Sequence, residues 1–156
     1  MRSNLAVRPS TQPPSGTTLA EVAVVVAMIA LITAFVLPPL QRGFDRIRTR
    51  GAAQDIMMAF FTARAAAIAL GQRTAVVLDR RNGRVVVVSR GDTLLMRAVA
   101  AEHGVTLTAT RDSMAFFANG LGLGGANLTV IVSRGSAADT VIVSREGRVK
   151  LGAKAR

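Results

Sequence analysis

Few side chains in this sequence of 156 residues are of a type and spacing that could do chemistry. There is no cysteine, so neither a disulfide framework nor a thiolate metal site can form. His103 is the single histidine and the acids around it are scattered, so no metal-ligand cluster is expected, and no cofactor. Ser133, Ser136 and Asp139 lie near one another, but no base is spaced to activate a serine, and they are expected in a hairpin loop. Gly120-Leu121-Gly122-Leu123-Gly124-Gly125 has the look of a phosphate-binding loop. Such a loop needs a helix N-terminus after it, and the residues beyond Gly125 read as a strand. Arg90-Gly91-Asp92 reads as a turn. Nothing here assembles into a catalytic site, so no enzyme activity is expected.

Two features are left. One is Glu21, the only charged residue between Thr17 and Leu37. Those residues would make a helix roughly 31 Å long, close to the hydrocarbon thickness of a bilayer. A carboxylate in such a segment is a functional candidate by default. The other is a basic cluster at the C-terminus, where Arg145, Arg148, Lys150, Lys154 and Arg156 are opposed only by Glu146. On a strand, Arg148 and Lys150 would share a face and could bridge successive phosphates. A solvated edge strand blunted by charge is the plainer account of the same residues. The formal net charge of +11 favours anionic partners, although 18 of the 20 basic residues are arginine, which also reads as compositional bias. The absence of Trp and Tyr argues against stacking on single-stranded bases.

The elements that carry these residues are read from periodicity. Apolar residues at helical spacing run through Leu40, Phe44, Ile47, Ile56, Phe60, Ala63, Ala67 and Leu70, and Gly71 is a natural stop. One long helix is predicted, bent at Pro38-Pro39, with its C-terminal half packed on a sheet. Beyond Gly71 the period becomes that of strands. They are expected at Thr74–Leu78, Arg84–Val88, Leu94–Val99, Val105–Thr108, Met114–Phe117, Leu128–Val132, Thr140–Val143 and Arg148–Leu151. Asn82-Gly83 marks a hairpin between the first two. The fold class is therefore α+β, with antiparallel sheets and no second globular domain.

Gly16-Thr17-Thr18-Leu19-Ala20-Glu21, the apolar run and the proline after it resemble the N-terminus of type IV prepilins and type II secretion pseudopilins. Thr17 departs from the bulky residue usual after the glycine. The helix segment Phe61–Arg73 and the ending Ile142–Lys150 resemble the GspH/FimT group. The resemblance implies a polar leader over 1–16, removed by a prepilin peptidase after Gly16 to leave an ammonium on Thr17. It implies a transmembrane and assembly helix over 17–40, an amphipathic continuation over 41–72, and a periplasmic β-domain over 73–156. Glu21 would pair with the Thr17 ammonium of a neighbouring subunit in a filament with other pseudopilins. The implied place is the inner membrane, crossed once. The implied role is a non-catalytic minor pseudopilin of type II secretion that acts on secreted proteins, or a FimT-like minor pilin that captures DNA. In FimT-like pilins a Gly-Arg-x-Arg motif is implied for DNA, and Gly147-Arg148-Val149-Lys150 has lysine in place of its second arginine. Arg42, Arg46, Arg48 and Arg50 come after the apolar run, against Arg2 and Arg8 before it. By charge bias alone that would put the C-terminal domain in the cytoplasm.

Overall fold

The computed structural model describes residues 16–123 and 127–152. A single helix, α1, covers Leu19–Leu70, and helical residues continue through Pro38 and Pro39. The chain divides into two compact units between Pro38 and Pro39. In the first, the helical segment is apolar and uncovered along its whole length: Val24, Met28, Leu31, Ile32 and Phe35 are all exposed. It is the one described helix long and apolar enough to cross a membrane.

The second unit holds the rest of α1 and the sheets. Gly71, at φ +61°, ends α1 in the left-handed conformation that a glycine adopts without strain. Strands β1 (Thr74–Asp79), β2 (Arg84–Ser89) and β3 (Asp92–Arg97) form two successive hairpins. In the β1–β2 turn the Asp79 carboxylate accepts from the Asn82 backbone N–H (3.1 Å) and side-chain amide (2.6 Å). A short helix, α2 (Val99–His103), comes next, then β4 (Thr106–Ala109), β5 (Ser113–Phe116) and β6 (Gly122–Leu123). The long hairpin β7 (Leu128–Arg134) and β8 (Ala137–Val143) leads to β9 (Val149–Gly152). They form two antiparallel sheets, in the orders β3-β2-β1-β5-β6 and β4-β7-β8-β9.

The core is built on small residues of α1. Ala52, Ala53, Ala59, Ala63 and Ala67 are fully buried, and their size lets both sheets come close to the helix. Ile56 and Phe60 fill the remaining space against Val76, Val87 and Phe116 of the first sheet and Leu128, Val130 and Val141 of the second. Phe60 and Phe116 meet edge to face, 6.5 Å between centroids at 75°.

Three expectations need correction. Leu40, Phe44, Ile47 and Leu70 are exposed, because the sheets cover α1 only from Thr49 to Ala67. Residues after Arg97 leave the strand and begin α2, whose first residue Val99 turns into the core. Alanines at positions 98, 100 and 101 suit a helix turn, and the Gly83 carbonyl accepts from the Ala100 N–H at 2.9 Å. The third is β6, which is two residues long and pairs with β5; a strand so short has no periodicity to betray it.

Candidate functional site

The start of α1 is the first candidate. Gly16 and Thr17 precede the helix, and Thr18 takes the N-cap position. The Glu21 N–H donates to Thr18 Oγ1 at 3.2 Å, and the Val22 N–H to the Thr18 carbonyl at 3.2 Å. Thr-Leu-Ala-Glu thus has the pattern of a capping box, a local signal present in the sequence that the hydropathy reading misses. An acid in the first turn also complements the helix dipole, which is worth about 0.3–1 kcal/mol at an exposed site. These local roles explain an acid at this end of the helix. They do not require that it be the single charge in an apolar and hydroxyl-bearing run. Glu21 is exposed, and no described side chain neutralises it.

The basic cluster is the second candidate. Arg148 donates through Nε (3.1 Å) and Nη2 (2.8 Å) to Glu146 Oε2. Those hydrogen bonds, followed by the attraction of the Arg148 charge, hold the Glu146 carboxyl below the usual carboxylate range. Lys150 stands on β9, opposite Ile142 of β8. Arg148 and Lys150 are exposed and line one shallow depression with Asn127, Ile142 and Ser144. Arg145 lines a neighbouring depression with Phe117, Leu121 and Glu146, so the fold splits the cluster between two hollows. Lys154 and Arg156 lie outside the described residues.

Gly147, between these cations, has a purely structural assignment. Its φ is +76°, and a Cβ there would stand 2.5 Å from the Gly120 carbonyl oxygen and 3.0 Å from Arg64 Nε. The Arg64 guanidinium donates to that same carbonyl at 3.1 Å. The turn between β8 and β9 therefore rests on the 117–121 turn, and the Gly122 N–H donates to the Arg145 carbonyl at 2.8 Å.

The remaining residues of interest are tethers. The Arg134 guanidinium on β7 donates from Nε to Asp45 (2.8 Å) and from Nη1 to the Gly104 carbonyl (2.6 Å). Thr49 donates to Asp139 at 3.1 Å, which places Asp139 on β8 as an anchor to α1; Ser133 lies on β7, and of the three only Ser136 is in the turn. Contrary to expectation, the fold does gather three groups of metal-ligating type. Donor atoms of Asp55, Glu102 and His103 lie within 4.8 Å of one another. Residues 48 apart in the chain meet because α2 lies against α1, and Gly51 leaves room for the imidazole. Within the group, His103 Nε2 and Asp55 Oδ2 are hydrogen-bonded at 2.7 Å, and Glu102 is engaged by Arg97 at 4.0 Å. That is the arrangement of a clamp between helices. The glycine-rich run enters β6 and precedes β7, with 124–126 outside the described residues, so the next described element is a strand and no helix receives a phosphate.

The sequence profile of the family described as type II transport protein GspH matches residues 52–147. The chain belongs to the GspH family. The match begins at the first buried alanines of α1 and ends at Gly147, so it takes in the core and most of both sheets. Solved structures of the same fold include the type IV minor pilin FimU of Pseudomonas aeruginosa, at 16% identity and TM-score 0.59, over 69% of this chain and 90% of that one. The minor pseudopilin EpsH of the type 2 secretion system of Vibrio cholerae is similar at 15% identity and TM-score 0.56, over 68% and 97%. No curated protein sequence gives a significant match. As a GspH-family protein the chain has the pilin-like architecture, a long apolar N-terminal helix with an antiparallel β-domain.

Proposed function

We propose that this GspH-family protein is a minor pseudopilin of a type II secretion system. It is cut after Gly16 by a prepilin peptidase, held in the inner membrane by the apolar part of α1 with its β-domain in the periplasm, and then drawn into a short filament that helps export folded proteins. It performs no catalysis of its own. The observation that carries this reading is the uncovered apolar segment of α1 with one acid, Glu21, at its start. Lipid covers such a segment before assembly and neighbouring helices cover it afterwards. Inside a bundle the Glu21 carboxylate needs a cation, and the Thr17 ammonium of an adjacent subunit supplies one. Breaking a buried pair by removing one partner costs about 3–5 kcal/mol, so the pair sets register between subunits.

The test is co-assembly of tagged full-length protein with the other pseudopilins. Glu21→Ala and Glu21→Gln should both reach the membrane and fail to enter filaments, and mass spectrometry should find mature material beginning at Thr17. Normal incorporation of Glu21→Ala, or an intact leader in the filament, would overturn the reading. DNA capture in the manner of a FimT-like minor pilin is the second reading, favoured by Arg148 and Lys150 side by side. It requires DNA binding that weakens steeply with salt and is lost in Arg148→Ala with Lys150→Ala. Binding absent at low salt would remove it.

A further inference from the structure

The first sheet is apolar on both faces. Thr74, Val76 and Leu78 of β1 and Val85 and Val87 of β2 point into the core. The alternate positions Ala75 and Val77 of β1 and Val86 and Val88 of β2 point outward. Met96 of β3, paired to Val86, extends that outer layer, while Thr93 stands opposite Val88 and Leu94 sits unpaired at the bulge between Thr93 and Leu95. Val77 is 38%, Leu94 44% and Met96 58% exposed, while Ala75, Val86 and Val88 are half-buried. A sheet facing water on one side ordinarily alternates apolar with polar residues, and β1 and β2 do not.

Two further observations say what could lie there. The first is the free edge. Strand β3 pairs only with β2 among the described strands, five of its six residues are exposed, and Leu94, Leu95 and Met96 occupy its middle without lysine or proline. Asp92 and Arg97 charge its two ends and a bulge interrupts it at Leu94, so the unpaired N–H and C=O groups it offers lie in a short apolar middle. The second is charge. Arg73 and Arg90 line one hollow with Ala75 and Val88, and Arg84 is exposed at the far end of β2. Among the described residues, none forms a side-chain hydrogen bond or ion pair with these three guanidinium groups; Arg84 is attracted by the Asp79 carboxylate opposite it, and Arg73 and Arg90 stand by themselves.

We propose that β3 and the outer face of this sheet receive an extended, acidic, apolar-containing segment of another protein, added as a sixth strand. Its backbone would pair with β3, apolar side chains at alternate positions would lie beside Met96 on the outer face, and a carboxylate at the end of the segment, on that same face, would meet Arg90. A bilayer could cover the valines but offers little to the main-chain row of β3. The inference stands on the sheet and holds whether the filament serves secretion or a pilus.

The experiment uses the full chain in nanodiscs of zwitterionic lipid, with labelled seven-residue peptides and fluorescence anisotropy at about 20 mM salt, where charge attraction is little screened. A peptide of valine alternating with threonine, with glutamate in place of valine at its two ends, should bind, and its counterpart with lysine at both ends should not. Met96→Glu, and separately Arg84→Glu with Arg90→Glu, should each weaken binding about tenfold or more with unchanged circular dichroism. Methylating alternate backbone nitrogens along one edge of the peptide should abolish binding, because a strand so treated cannot donate to β3. Equal binding of both peptides, undiminished binding of the methylated one, or no binding of the glutamate-ended peptide overturns the proposal. Adsorption to phosphatidylglycerol vesicles that Met96→Glu abolishes, without peptide binding, replaces it with a membrane contact.

Discussion

Replacing Gly147 by alanine tests whether the Gly-Arg ending is architecture or recognition. The perturbation has two parts. At φ +76° any residue with a Cβ is strained, at roughly 1–2 kcal/mol. The new methyl must also sit 2.5 Å from the Gly120 carbonyl oxygen, a backbone atom that cannot turn aside. Moving two packed turns apart costs about 1–3 kcal/mol more. The sum is about 2–5 kcal/mol. Gly71→Ala is the control, since Gly71 has φ +61° and nothing within 4 Å of its Cβ position, so it carries the first part alone. Arg148→Ala should leave stability nearly unchanged, because both side chains of its contact with Glu146 are exposed. The chain has no Trp or Tyr, so unfolding of the full chain in detergent by urea is followed by far-ultraviolet circular dichroism. Gly147→Ala should lower the midpoint clearly more than Gly71→Ala. Equal shifts for the two would show that the turn after β8 does not rest on the Gly120 carbonyl, and the structural account of Gly147 would fall.

Two other outcomes are expected of the same domain. Phe60→Ala removes a fully buried ring and its edge-to-face contact with Phe116, and should cost about 3–5 kcal/mol of stability in the same assay. A loss below about 1 kcal/mol would mean that the helix and sheets do not share this core. The Asp79 carboxyl is held below its ordinary value first by the Asn82 side-chain amide and then by the Asn82 backbone N–H. A lowered folded value stabilises the fold above the unfolded value near 3.8, and that contribution is lost as the pH falls through the folded value. Asp79→Asn should therefore flatten the stability profile below about pH 4 and leave its acid limit unchanged; an identical slope in wild type and variant contradicts the turn geometry.

Local signals are enough for much of this fold. Asn82-Gly83 announces the first hairpin, Gly71 the end of α1, and apolar alternation or β-branched runs the strands β1, β2, β7 and β8. Each is a property of neighbouring residues, and backbone sterics act over a few bonds. The Thr18–Glu21 box is equally local, although hydropathy does not reveal it. The exposed state of Leu40, Phe44 and Ile47 is not legible, because their helical spacing is the same as that of Ile56 and Phe60. The difference lies in where the sheets begin to cover the helix.

Sequence alone determined the apolar helix with its lone acid, the α+β class, the patterning that makes the strands, and the excess of arginine. Those are short-range or summed properties of the chain. Tertiary structure alone decided that Asp55 meets His103, that Arg134 reaches Asp45, and that Gly147 is pressed against Gly120. It also decided that Val77 and Met96 on the outer face of the first sheet stay exposed. Most of these pairings join residues tens of positions apart. Their distances are set by how the helix and the two sheets close on one core, and no local periodicity encodes that closure.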